Sequence, residues 1–125
     1  MPLVRIDIPA DTPSPLIRQV ADLVHKAMVG ALNIPVADRF QTIARRMHDE
    51  MICTKEFLGV THTQAIVLIQ ITLAPRTVEL KKALFSAIAA EIESHTPFKA
   101  QDVIINLIET PRENWSFGNG IAQFA

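Results

Sequence analysis

Hydrophobic and polar residues alternate from the start of the chain. In Leu3-Val4-Arg5-Ile6-Asp7-Ile8, Val4, Ile6 and Ile8 fall on one side and Leu3, Arg5 and Asp7 on the other. That period of two predicts a strand. It would hold still a terminus that is commonly loose. Pro9 and Asp11-Thr12-Pro13-Ser14-Pro15 stop it. Thr12 or Ser14 is expected to cap a helix whose first turn begins with a proline. Leu16, Val20, Leu23, Val24, Ala27 and Ala31 recur at helical spacing, and Asn33 with Pro35 ends the helix. A second extended stretch follows over 39–45, with Phe40, Thr42 and Ala44 on one side.

The pattern is weakest over 46–63, which predicts a loop with a short strand near 51–54. Residues 65–73 are β-branched and nearly all apolar, as expected of a central strand covered on both faces. Thr77 is the expected cap of a second helix marked by Leu80, Leu84, Ala87, Ile88 and Ile92, and Thr96-Pro97 ends it. Residues 102–109 predict a fourth strand. Trp115-Ser116-Phe117-Gly118-Asn119-Gly120 carries the glycines and asparagine of a turn or hairpin, expected as a hairpin over about 113–122.

The two halves repeat. A shift of 64 positions lays Val4 on Leu68, Val20 on Leu84, Val24 on Ile88, Met28 on Ile92 and Asp38 on Asp102. Each unit, about 2–45 and 65–109, reads strand, helix, strand, and parallel strands need such a crossover. The predicted fold is α/β: two β-α-β units forming a four-stranded mixed sheet, with two helices on one face. The other face would be bare, although 65–73 is apolar on both sides. Further copies of the chain are the simplest cover, so the chain is expected to self-associate.

A length of 125 residues and a hydrophobic content of 49% predict one domain with a real core. The net charge of -1, without a basic block, argues against nucleic acid or an anionic membrane as the main partner. No apolar run is long enough to span a bilayer, and no basic-then-apolar leader opens the chain. Cys53 is the only cysteine, which excludes an internal disulfide and fits a reducing, cytoplasmic setting. With no visible activating partner it reads as an inert thiol. His48, His62 and His95 lack ligand spacing, so no metal is expected. His25 reads as a packing or surface residue.

Pro2 offers chemistry on one condition. While Met1 is attached, the Pro2 nitrogen is a tertiary amide without basicity. With Met1 removed it is a secondary amine on a rigid ring. An α-amino group titrates near ~8 in water. Burial or a nearby cation lowers that value and a carboxylate raises it, so both a neutral base and a cationic acid are open. A turn or capping role shared with Asp102 would explain Asp38 without chemistry. Arg76 precedes a helix start, where a cation is unfavourable unless an anion is bound. Trp115 and Phe117 suit a subunit interface.

Together, Pro2-Leu3, Pro35-Val36-Ala37-Asp38-Arg39-Phe40-Gln41-Thr42, Pro75-Arg76, Asp102-Val103-Ile104 and Trp115-Ser116-Phe117-Gly118 make the chain resemble the tautomerase superfamily. Within it, they resemble malonate semialdehyde decarboxylase. The resemblance implies a homotrimer with sheets facing inward and a site at each subunit boundary. It implies Pro2 as the catalytic amine, Asp38 as a support for the reacting site or a water, and Arg76 as a grip on the substrate carboxylate. It makes Trp115 and Phe117 walls of a small apolar pocket. The first of the family's two arginines falls at Ala74, which weakens decarboxylation more than tautomerisation; Arg39, Arg45 and Arg46 are the candidate substitutes. The expected reaction is cofactor-free keto-enol tautomerisation of a small 2-oxo acid. The alternatives are decarboxylation of a 3-oxo acid, hydration directed by Asp38, and a non-enzymatic ligand-binding or regulatory module.

Overall fold

A computed structural model describes residues 2–125. The elements run β1 (Leu3–Pro9), α1 (Ser14–Leu32), β2 (Phe40–Arg46), β3 (Glu56–Phe57), β4 (Val60–Thr61), β5 (Val67–Leu73), α2 (Val78–His95) and β6 (Val103–Glu109). The main sheet has the order β2-β1-β5-β6. β1 is parallel to β2, β5 is parallel to β6, and the two units meet antiparallel at β1 and β5. The starts of β1 and β2 therefore share one end of the sheet with the finishes of β5 and β6. The predicted α/β fold is the one observed.

Both helices pack on one face. Val4, Ile6 and Ile8 of β1 and Val67, Ile69, Ile71 and Leu73 of β5 join one core with Val20, Val24 and Met28 of α1 and Leu84, Ile88 and Ile92 of α2. Each such buried side chain contributes roughly 1.5–3 kcal/mol. The repeat holds for the helices at the expected shift. It fails for the strands, because Val4 faces the helices while Leu68 faces away. A shift one residue longer lays Val4, Ile6 and Ile8 on Ile69, Ile71 and Leu73. A one-residue slip flips every strand side chain, so Val4 and Val20 stand one residue further apart than their counterparts Ile69 and Leu84.

The bare face is less apolar than residues 65–73 suggest. Leu3, Phe40, Ala44, Leu68, Ile104 and Ile108 share it with Arg5, Asp7, Thr42, Gln70, Thr72 and Asn106. Two of its polar contacts are Arg46 Nε to Asp7 Oδ1 at 2.7 Å and Gln70 Nε2 to Asn106 Oδ1 at 3.3 Å.

Helix ends follow the sequence with one exception. Thr77 caps α2 by accepting from the Leu80 N–H at 3.3 Å. Asn33 ends α1 at φ 54° with its N–H on the Val29 carbonyl. Thr12 and Ser14 do not cap α1: Pro13 holds that place, and the Thr12 hydroxyl donates to the Pro9 carbonyl at 2.6 Å. No strand forms near 51–54. The hairpin of β3 and β4 lies further on and turns through Leu58 and Gly59, both at positive φ (48° and 82°). A two-residue turn of that kind prefers Asn-Gly, and leucine there is strained. Leu58 is 87% exposed, so its side chain contributes little packing within the chain. Leu58→Asn is expected to raise stability by about 0.5–1 kcal/mol, read as a higher denaturant midpoint at unchanged slope.

The expected hairpin at 113–122 is a correction as well. No strand forms there. A short 3₁₀ turn (Arg112–Asn114) leads into a turn at Gly118, Asn119 and Gly120, all at positive φ. Gln123 locks it by accepting from the Phe117 N–H at 2.9 Å and donating to the Gly118 carbonyl at 3.3 Å.

Candidate functional site

Pro2 is buried at the start of β1. Leu3 pairs with Phe40 on one side and Thr72 on the other. One step back along both ladders places Pro2 level with Arg39 and Leu73, just before Ala74, Pro75 and Arg76. Removal of Met1, on which the amine depends, lies outside the described residues.

Asp38 ends the loop that joins α1 to β2. Its N–H donates to the Pro35 carbonyl at 3.0 Å, and the residue is half-buried. His25, 8% exposed, anchors the loop to α1: its Nε2 lies 2.7 Å from the Val36 carbonyl. A carbonyl only accepts, so Nε2 carries the proton. His25 is thus the packing residue that the sequence allowed. Asp102, the repeat mate of Asp38, is 1% exposed and clamped by the Thr63 N–H at 2.7 Å and the Thr63 hydroxyl at 2.6 Å. The repeat places a turn carboxylate in both units, one buried and one half-buried.

Arg76 sits immediately before the α2 cap. Its N–H donates to Glu109 Oε2 at 2.8 Å, and Lys81 donates to Glu109 Oε1 at 2.7 Å. Lys81 first, and the Arg76 N–H second, hold the Glu109 carboxyl below its ordinary value. This clamp between β6 and α2 is complete above the usual glutamate pKa and weakens as pH falls through the depressed value. The guanidinium folds back, Nη1 donating to the Ala74 and Pro75 carbonyls at 2.8 and 3.2 Å. Its remaining donors have no partner among the described residues.

Two of the three substitute arginines lie elsewhere. Arg45 and Arg46 end β2, at the other end of the sheet from Pro2. Arg45 donates to the Thr12 carbonyl and to Ser14 Oγ, and Arg46 pairs with Asp7. Arg39 is at the right end, but it is tied to Asp22 at 2.6 Å and to Gln41 at 2.9 Å. Its hydrogen bond is the main reason the Asp22 carboxyl lies below its ordinary value.

Trp115 and Phe117 stack with centroids 5.4 Å apart and planes 4° apart. Phe117 also meets Phe40 at 5.3 Å and the edge of Phe124 at 5.8 Å, and Arg112 lies over Phe124 at 5.8 Å. Phe40 and Phe124 are additions to the site residues read from the sequence. Phe40 carried a signal, since it shares the outward side of β2 with Thr42 and Ala44. Trp115 Nε1 is buried with no hydrogen-bond partner among the described residues. Such a donor costs about 1–3 kcal/mol unless an acceptor arrives.

Pro2, Asp38, Arg76 and the aromatic tail thus gather at one end of the sheet. Two concavities, of about 780 and 550 Å³, open at the opposite end, and none of the five residues read from the sequence lines either. Among the described residues no group of three or more His, Cys, Asp and Glu side chains is placed to hold a metal. No helix among the described residues is long and apolar enough to cross a membrane.

The model of the family described as tautomerase enzyme matches residues 38–118. The probable tautomerase YusQ of Bacillus subtilis (strain 168) is 35% identical over 124 residues, covering 98% of this chain and 98% of its own. The solved malonate semialdehyde decarboxylase, studied for decarboxylase and hydratase activities, superposes with a TM-score of 0.92 at 31% identity, over 98% of this chain and 95% of that one. A fused 4-OT symmetric trimer shares the fold alone, with a TM-score of 0.77 at 22% identity, over 95% of this chain and 94% of that one. With the family matched over most of the chain and a relative matched end to end, the protein belongs to the tautomerase family.

Proposed function

We propose that the chain is a cofactor-independent tautomerase of small 2-oxo acids, acting through the Pro2 amine once Met1 is removed. The supporting observation is the burial of Pro2 at the sheet end that also carries Asp38, Arg76 and the aromatic tail. Arg76 swings from the Ala74 and Pro75 carbonyls to grip the substrate carboxylate with two parallel hydrogen bonds. Burial and the Arg76 charge lower the amine pKa, so neutral Pro2 takes a proton from the carbon beside the carbonyl and returns it to the enol end. Asp38 supports the reacting end, and Trp115 and Phe117 wall off water. The bare sheet face is covered by two further copies in a homotrimer, as in the trimeric relative of this fold. Its apolar residues and the orphaned Trp115 donor fit that assembly.

The likeness to malonate semialdehyde decarboxylase favours a second reading. There Pro2 stays protonated, polarises the carbonyl of a 3-oxo acid and stabilises the enolate left when CO2 departs. Ala74 removes one of the two expected carboxylate grips and counts against it. Paired pH-rate profiles on phenylenolpyruvate and malonate semialdehyde decide between the two. Base catalysis rises with pH through the amine pKa, and cationic catalysis falls through it.

Arg76→Gln tests the grip. Loss of a charged hydrogen-bond pair is expected to lower kcat/KM about ten- to a hundredfold, mainly through KM. An unchanged KM for every carboxylate substrate would remove Arg76 from substrate binding.

A further inference from the structure

We infer that the cavity of about 780 Å³ at the far end of the sheet is a second, non-catalytic site for a small aromatic monocarboxylate. This does not rest on the proposed reaction. It rests on the internal repeat. The cavity forms where β1 and β2 finish and where β5 and β6 begin, which is the repeat counterpart of the Pro2 end. The fold thus builds the same kind of corner twice.

The counterpart lacks both reactive groups. By strand facing, Val67 occupies the place of Pro2. It is fully buried and lies inside the chain, so its nitrogen is a peptide amide. Asp102 occupies the place of Asp38, and Thr63 occupies both of its oxygens. A ligand there meets neither a Pro2 amine nor an accessible Asp102 carboxylate, so the chemistry proposed for Pro2 is unavailable to it.

The lining indicates what the cavity takes. Leu16, Met47, Met51 and Phe98 supply apolar walls, and the volume falls in the range of ordinary small-molecule sites. Arg46 supplies the cation. Its Nε is paired with Asp7, while its two Nη groups make no hydrogen bond among the described residues. A guanidinium with those two groups unspent offers the fork that a carboxylate fits. Asp11 also lines the cavity, so a second negative charge on the ligand would be repelled. One carboxylate on an apolar body suits the site better than a dicarboxylate.

The test uses the full chain labelled with ¹³C at its methionine methyls and titrated with phenylacetate. Met47 and Met51 line the cavity, while Met28 is buried in the core. The Met47 and Met51 signals are expected to move together and saturate. Arg46→Gln, or the neutral probe phenylacetamide, is expected to weaken binding about ten- to a hundredfold. Pro2→Ala is expected to leave the titration unchanged, and Arg46→Gln to leave turnover unchanged. Signals that stay fixed through millimolar phenylacetate overturn the proposal. So does equal binding of the amide, or equal binding by Arg46→Gln, since either shows an apolar cavity without carboxylate recognition.

Discussion

Pro2→Ala is expected to lower kcat/KM for tautomerisation by roughly 10²- to 10⁴-fold, the range of a positioned acid-base group. The substitution keeps an amino terminus, so it does not simply delete the base. It replaces a rigid secondary amine with a primary one free to rotate about its bond. Pro2 precedes a β1 that pairs on both sides along its length. The ring therefore has a fixed frame, and the alanine amine has one soft dihedral more. Stability should change little, because Pro2, although buried, lies outside the core cluster, whose β1 members begin at Val4. A protein that keeps Met1 should show the larger deficit, since an amide nitrogen neither takes nor gives the proton. Intact mass and kcat/KM measured on one sample test both statements. Equal rates for Pro2→Ala and the parent would remove the ring nitrogen from the mechanism.

Much of the fold was legible because its signals come from the chain's own core. Alternation in β1, the β-branched run of β5 and the helical spacing of Val20, Val24, Leu84, Ile88 and Ile92 all record burial against one another. The features that sequence reading missed depend on partners that periodicity does not register. The one-residue difference in strand-to-helix spacing between the two units is invisible to an alignment led by the helices, and it reversed the facing of Leu68. The tail residues Gly118, Asn119 and Gly120 suit a hairpin and an isolated turn equally, and the side chain of Gln123 decides between them. Phe124 joins the aromatic cluster only because that turn folds back. As for the site, the strand at the terminus pointed to Pro2 by physical argument. The roles of Asp38 and Arg76 came through family resemblance, since a loop aspartate and an arginine beside a helix start carry little signal of their own. Distant contacts such as Thr63 with Asp102 had no sequence signal.

The two repeat-related aspartates allow a separation of stability from catalysis. Asp102→Ala is expected to cost about 3 kcal/mol, because it removes two hydrogen bonds to a buried charged acceptor. Asp102→Asn should cost less but not nothing. Its Oδ1 can still accept from the Thr63 N–H, but its amide end donates where the Thr63 hydroxyl now donates. That hydroxyl already accepts from the Ala65 N–H at 3.0 Å, so only its second lone pair is left to receive the amide, and its own proton loses its acceptor. Asp38→Asn, an isosteric change in a half-buried loop, should cost less stability than Asp102→Ala. Its effect should fall on kcat. Denaturant midpoints must be compared at one protein concentration, because self-association adds to apparent stability. The expected pattern is crossed: Asp102 variants unfold early but keep kcat while folded, and Asp38→Asn folds normally but turns over slowly. If Asp38→Asn instead destabilises the chain as much as Asp102→Ala and leaves kcat alone, both aspartates are turn residues. The acid-base site would then comprise Pro2 and Arg76 alone, with water reaching it undirected.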